Sequence, residues 1–468
     1  MDAWWLGVYV VVAMGLGALG VAFFERAQAV PLPRSVGLAA TFGAGVLGYA
    51  LFVLELFGVH PDRGTFVSLS FAALPGLALA LARASRRVAP APRLAPRARF
   101  ASVVLLTVLA GCFGAVALKA LGLGLYEWDA FAIWALKAKV IAGDGLVPRP
   151  AYFSDVSLSY SHLDYPLMVP LQMVGVFAVL GRVDDQLAKL PEVLCYVGLM
   201  ALVFSFCRRR TSLPTALAVT VLVLAAPCTL RHAGSGMAEV QLMAFYTASV
   251  VCVIEWREAP RWRTSALCGV MSAFAALTKN EGLALGAINC VAMVAFPPPR
   301  GSGRRLWGGA GLCALVFVVL VLPWLVWSHC IPRTHGDYLG NLSARTFVDN
   351  AARIPVIAAA FAGQVTAVAE HGLLWLVLLG TAALRWRTFG GATIRVAWLL
   401  LVLHLLSYAL IFVVTPHDVR WHMASSLHRL VLHALPLAGM LVAMHLSAPA
   451  PEPATATPVA PVRAAPST

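Results

Sequence analysis

Thirteen apolar runs separated by short arginine clusters decide what this chain can become. They lie near 4–23, 36–58, 64–82, 101–124, 189–206, 212–229, 239–256, 264–278, 283–297, 306–328, 371–384, 396–414 and 430–446. A bilayer core takes about 20 apolar residues per crossing, and only structures that satisfy their own backbone polar groups persist inside it. The pattern predicts an all-α, polytopic membrane protein of about 13 transmembrane helices plus outer-face interfacial helices. Composition excludes a soluble enzyme: charged residues make up 12% of the chain and its mean hydropathy is +0.81.

The arginines set the expected orientation. Arg83, Arg86, Arg87, Arg93, Arg97 and Arg99 form one cluster, followed by Arg208, Arg209 and Arg210, then Arg257, Arg261 and Arg263, then Arg300, Arg304 and Arg305, then Arg385, Arg387 and Arg395. Placed together on the cytoplasmic side they obey the positive-inside rule. The net charge of +14 then reflects topology, and no nucleic-acid partner is expected. Keeping the clusters on one side requires the run 166–180 not to cross, so it is expected to lie in or dip into the outer interface. The mixed segment 345–369 is expected to form a second interfacial helix.

The N-terminus falls outside and the C-terminus inside. Residues 1–100 read as N-terminal membrane helices with a basic cytoplasmic loop, 101–447 as the main membrane domain, and 448–468 as a disordered Pro/Ala-rich tail. The first run is too long, and lacks the basic leader, for a cleaved signal peptide. Gly15, Gly17 and Gly20 spell GxGxxG, but within a membrane helix they predict close helix packing, not dinucleotide binding. Nine cysteines without metal-type spacing read as small core residues. His404 and Glu55, inside apolar runs, read as hydrogen-bonded packing residues.

With this topology the polar stretches 125–165, 230–238, 329–353 and 415–429, with the turn 278–282, collect on the outer face. The first holds Glu127 and Asp129 where a membrane helix ends, followed by an amphipathic helix carrying Lys137 and Lys139. Helical spacing keeps both lysines from pairing with Asp129, which is therefore left either to cap the helix or to act as a base. The same loop closes on His162, Asp164, Tyr165 and Pro166, where Asp164 suits a cap. Lys279 and Glu281 sit in a hairpin between two apolar runs, suited to pairing with each other or to holding a phosphate. Arg420, His422 and Arg429 stand before the last helix, where outer-face arginines call for a compensating anion. His417, Asp418 and His422 follow no metal-binding signature, and no metal or cofactor is expected.

Together these four pieces (Glu127, Trp128, Asp129; His162, Asp164, Tyr165, Pro166; the LTKNEG hairpin; the RWHMASSLHR segment) resemble the GT-C superfamily of membrane glycosyltransferases. That superfamily includes the protein mannosyltransferases and the lipid A aminoarabinose transferases, and the likeness runs from about 100 to 445. It implies that 101–447 is a catalytic domain moving a sugar from a polyprenyl-phosphate donor to a glycan, lipid or protein acceptor. It further implies Asp129 as catalytic residue, with Glu127 the nearest substitute. Lys137, His162, Asp164, Tyr165, Lys279, Glu281, Arg420, His422 and Arg429 are the candidates for substrate binding. The family's adjacent Asp-Glu pair is here split by Trp128. A transporter or flippase of lipid-linked sugars, or a glycan ligase, would use a similar basic pocket. The first often shows internal repeats, which are not visible here, and the second a large late outer loop.

Overall fold

The computed structural model describes residues 1–25, 30–85, 94–296, 303–333, 338 and 340–447. The expected tail 448–468, Arg86, Arg87, Arg93 and Arg300 lie outside the described residues.

Among the described residues the chain is helical and without strands. It opens with α1 (Asp2–Phe24), α2 (Leu32–Leu56), α3 (Arg63–Ser85) and α4 (Pro96–Gly122). A loop holding α5 (Leu136–Asp144) leads to α6 (Met168–Leu180). The central helices are α7 (Leu190–Arg208), α8 (Leu213–Leu224), α9 (Pro227–His232), α10 (Glu239–Glu258), α11 (Trp262–Thr278), α12 (Glu281–Ala295) and α13 (Gly303–Ser328). The short helices α14 (Ala344–Asp349), α15 (Arg353–Thr366) and α16 (Val368–His371) precede α17 (Leu374–Leu384), α18 (Ala392–Val414), α19 (Val419–Leu432) and α20 (Leu435–Leu446).

Every apolar run becomes helix, but not every helix is a full crossing. Among the described residues eight are long and apolar enough to span a bilayer, or nine if α19 and α20, bent by 44°, form one span. The thirteen expected crossings are thus of unequal length. The run 212–229 shows why: α8 stops because Pro227 starts a new helix, and the residue before a proline is pushed out of helical geometry.

α10 is buried almost throughout, whereas α3, α4 and α13 expose most of their apolar length, as lipid-facing helices do. This is an integral membrane protein built around α10. Its two ends differ. At one end Arg34 pairs with Glu25 (2.5 Å) and Glu255, and Arg209 and Arg210 pair with Glu255 and Glu258. At the other end of α10 stands Glu239, about 24 Å away by helical rise.

The run 166–180 departs from its expectation in one respect. Its helix α6 is buried on all sides, not laid on a lipid interface. Met168 and Gln172 press against Gly48 of α2, and Gly175 against Leu51, Tyr9 and Phe66. The backbone carbonyls of Val179 and Leu180 accept hydrogen bonds from Arg63 at the start of α3, and Arg182 pairs with Asp2 at the start of α1 (2.8 Å). The helix therefore returns to the end from which it entered. An apolar helix without a polar face has no reason to stay at an interface and is covered by protein instead. By contrast, α14, α15 and α16 are largely exposed, and Asn341, Asn350 and Arg353 donate to the carbonyls of Val414, Val413 and Thr415 at the open end of α18.

The glycine triplet does pack helices. A Cβ on Gly17 would stand 1.9 Å from the Ala39 carbonyl oxygen, and one on Gly15 2.5 Å from that of Ala73. Glu55 accepts from the Leu146 amide (3.2 Å) and pairs with His60. His404 corrects its expectation: it sits edge-on between Tyr246 and Tyr408, and neither ring nitrogen finds a hydrogen-bond partner among the described residues.

Gly17→Val is expected to destabilise the protein by about 2 kcal/mol or more, because the clash is with backbone that cannot swing aside. A thermal melt of the detergent-solubilised protein reads this, with Gly7→Val, where a Cβ meets nothing within 4 Å, as the neutral comparison.

Candidate active site

α4 ends at Gly122, and the loop that follows turns back as a π-helical segment, Ala130–Ala135. Asp129 stands just before it and does not cap it. Its carboxylate instead meets Arg429 of α19, whose Nη1 donates to Oδ2 at 2.5 Å across 300 residues of sequence. The same Nη1 lies 3.7 Å from Oε1 of Glu239, the first residue of α10. That oxygen also faces Lys279 Nζ at 3.3 Å, and Lys279 lies 3.1 Å from Glu281. Lys279 reaches this point because its backbone is extended between α11 and α12. The turn also needs Gly282, where a Cβ would meet the Ala275 carbonyl at 2.1 Å.

Three carboxylates and two cations thus form one cluster at the end of the bundle opposite the Arg34 network. It is partly dry: side-chain exposure is 1% for Glu239, 9% for Lys279, 20% for Arg429 and 28% for Asp129. Low local dielectric strengthens each pair and penalises any charge left alone.

Lys137 is placed differently from its expectation as a substrate ligand. It is fully buried and donates to the carbonyls of Ser161 (2.6 Å) and His162 (2.7 Å), so it holds a turn of the protein itself. His162 adopts a left-handed backbone (φ 49°), unusual for a residue with a side chain, and its ring lies 4.5 Å from that of Tyr165. Tyr152 braces the turn by donating to the Ser161 hydroxyl (2.7 Å). Burial pushes the Lys137 amine down to about 7, against the pull of Asp164. Burial, reinforced by Glu281, Asp164 and Asp129, pushes the Tyr165 phenol up, so Tyr165 stays protonated as a donor beside the cluster.

Asp164 acts electrostatically on Lys137, Tyr165 and Tyr338, and the N-cap position of α6 is Leu167. Glu127 lies on the same loop as Asp129 but bears on Tyr126 and Lys119, outside the cluster. His422 is taken up by the Thr415 hydroxyl (2.9 Å) and by the rings of Phe412 and His417, at the cluster's margin. Arg420 is exposed on the first turn of α19 and is not brought to the cluster. Lys139 pairs with Asp185 (2.7 Å), and neither lysine of the loop reaches Asp129. Asp129 is nonetheless not free, since Arg429, invisible to local spacing, holds it. Glu239 was missed by the reading of the sequence. Its signal was a carboxylate opening an apolar run, directly after the polar stretch 230–238, with Gln241 the next polar side chain. Among the described residues no group of three His, Cys, Asp or Glu side chains is placed to hold a metal ion.

Residues 164–327 match the family described as dolichyl-phosphate-mannose-protein mannosyltransferase. The matched stretch begins at Asp164 and contains Tyr165, Glu239, Lys279 and Glu281. Over that part, which holds Asp164, Tyr165, Pro166 and the LTKNEG hairpin but neither Glu127 and Asp129 nor the RWHMASSLHR segment, the chain is similar in sequence to GT-C membrane glycosyltransferases. No curated protein matches the chain. Among solved structures it is similar to ArnT from Cupriavidus metallidurans, crystallised bound to undecaprenyl phosphate, at 15% identity and a TM-score of 0.49. That alignment covers 74% of this chain and 60% of ArnT.

The depressed Lys137 amine fixes the sign of a pH effect. The unfolded chain still binds that proton between about pH 7 and its ordinary value near 10.4, and the folded chain does not, so folding stability rises with pH across that window. The contribution is at most about 1.4 kcal/mol per pH unit. Lys137→Met is expected to lose this slope between pH 7 and 9, read from melts of both proteins. It is also expected to melt lower at pH 9, because two buried carbonyls lose their donor.

Proposed function

We propose that this protein is a glycosyltransferase that moves a hexosyl or pentosyl unit from a polyprenyl-phosphate donor to an acceptor hydroxyl, with inversion, at the outer face of a bacterial inner membrane. One observation carries the reading: the acid of the first loop and the cations of two later turns converge on one cluster. That cluster lies away from the arginine-rich end, which the positive-inside rule assigns to the cytoplasm.

In this reading Asp129 is the general base. The acceptor oxygen attacks the anomeric carbon and loses its proton to the Asp129 carboxylate. The carbon–oxygen bond to phosphate breaks, and the electron pair leaves on the polyprenyl phosphate. A single displacement inverts the anomeric centre. General-base help of this kind contributes about 100-fold to 10,000-fold in rate. Lys279 and Arg429 supply charge-assisted donors to the departing phosphate, and Tyr165 a neutral one. Glu239 positions both cations. The acceptor, as a class, is a glycan, lipid or protein hydroxyl.

The test is transfer of labelled sugar from a polyprenyl-phosphate pool in membranes containing each variant. Asp129→Asn is expected to lose at least 100-fold in transfer while inserting normally, and Glu127→Gln to retain most of it. Lys279→Ala is expected to lose donor binding. Normal transfer by Asp129→Asn overturns the base assignment. Uptake or flipping of the lipid-linked sugar by the wild type, without transfer to any acceptor, establishes the transporter alternative.

A further inference from the structure

One guanidinium, that of Arg429, holds the carboxylate of Asp129. Lys279 is already faced by two carboxylates, Glu239 and Glu281, at 3.3 and 3.1 Å. Arg429 has a single hydrogen-bonded side-chain partner among the described residues, Asp129, while Glu239 at 3.7 Å is beyond hydrogen-bond reach. Counting Asp129, Glu239 and Glu281 against Lys279 and Arg429, the cluster carries one net negative charge before any donor arrives. An anionic phosphate added to it would raise that charge in a partly dry site, where like charges repel strongly. An exchange at Arg429 keeps that guanidinium paired with one anion, and the carboxylate that gives way is the most exposed of the three.

Only one carboxylate is placed to give way. Glu239 is 1% exposed and fixed in the central helix α10, and Glu281 is 13% exposed and bound to the lysine two residues before it. Asp129 is 28% exposed and sits at the edge of a loop. Its partner is also suited to the exchange, since a guanidinium presents paired N–H groups that match phosphate as well as carboxylate.

We infer that the phosphate of the donor displaces Asp129 from Arg429, so that the base is set free only when the donor is in place. This rests on the glycosyltransferase reading and deepens it, by making donor binding the event that arms the site. In the resting protein Arg429 holds Asp129 as an ion pair. With phosphate on Arg429, the carboxylate is released beside the anomeric carbon to which that phosphate is bonded. After transfer Asp129 is protonated and no longer competes. Once its proton passes to water it returns to Arg429 and helps expel the polyprenyl phosphate.

The experiment measures binding of undecaprenyl phosphate, without sugar, to the full-length protein in nanodiscs. Asp129→Asn is expected to bind at least about 10-fold more tightly than wild type, because the competing carboxylate is gone. The gain is expected to vanish in the Arg429→Gln background. Asp185→Asn, which breaks the Lys139 pair outside the cluster, leaves affinity unchanged. Asp129→Ser repeats the test with a shorter uncharged side chain if the amide variant folds poorly. Equal or weaker binding by both Asp129 variants overturns the exchange and leaves the glycosyltransferase reading standing. If the wild type retains no more undecaprenyl phosphate than empty nanodiscs, the donor reading fails, and this inference with it.

Discussion

Arg429 is the charge on which the site depends. It contacts carboxylates from two distant parts of the chain, Asp129 on the first loop and Glu239 at the start of α10, and Glu239 passes the contact on to Lys279. None of these groups is fully solvated, and a lone charge at such a position costs several kcal/mol, whereas a matched set holds together. The network therefore docks three elements onto the start of α10: the loop after α4, the hairpin between α11 and α12, and the last bent helix pair. Removing either cation leaves carboxylates without a partner in a partly dry place. Conserving the total count of charges is the stricter constraint, and it turns a structural network into one that an incoming anion must rearrange.

The division of labour between lysine and arginine follows from geometry. All five lysines of the chain sit at the end of the bundle that holds the cluster, and three of them donate to backbone carbonyls. Lys119 takes the carbonyls of Leu230 and Arg231, Lys137 those of Ser161 and His162, and Lys189 those of Leu123 and Gly124. A compact ammonium with three freely rotating donors suits converging carbonyls, where a planar guanidinium fork does not. Several arginines at this end are also spoken for: Arg182 by Asp2 and Asp184, Arg231 by Glu370, Arg353 by Thr415, Arg63 by Val179 and Leu180. The polar end is thus tied down by its own basic residues, and the surplus of positive charge sits with the arginine clusters opposite.

How much of this was legible in the sequence depends on range. The apolar runs, the packing role of Gly15, Gly17 and Gly20, the pairing of Lys279 with Glu281, and the failure of Lys137 and Lys139 to reach Asp129 are all local facts, set by residues within a helical turn or two. They were readable. The Asp129–Arg429 pair spans 300 residues, and no spacing rule announces it. Lys137 was misread for a related reason: a lysine on an amphipathic loop looks solvent-facing until the turn it secures, 24 residues later, folds over it. Glu239 stands in the first turn of α10, where the helix dipole favours an acid, and only the arrival of Lys279 and Arg429 gives it another task.

The burial of α6 explains why the cluster can sit below the polar surface. Pro166 and Met168 lead directly from the turn that carries Asp164 and Tyr165 into a helix surrounded by α1, α2, α3 and α5. Because that helix is held between membrane helices, the turn at its head is drawn inward with it, and Tyr165 comes within electrostatic reach of Asp129, Glu281 and Arg429. Had the run lain on the lipid interface, Tyr165 and its loop would have stayed at the level of the headgroups and the carboxylates would have been solvated. Lys137 fixes the same turn from the other side, across the strained His162 backbone. An apolar helix that dips without crossing and a buried lysine that caps two carbonyls are therefore two halves of one device. Together they bring a polar loop down to charges that are strong because they are only partly wet.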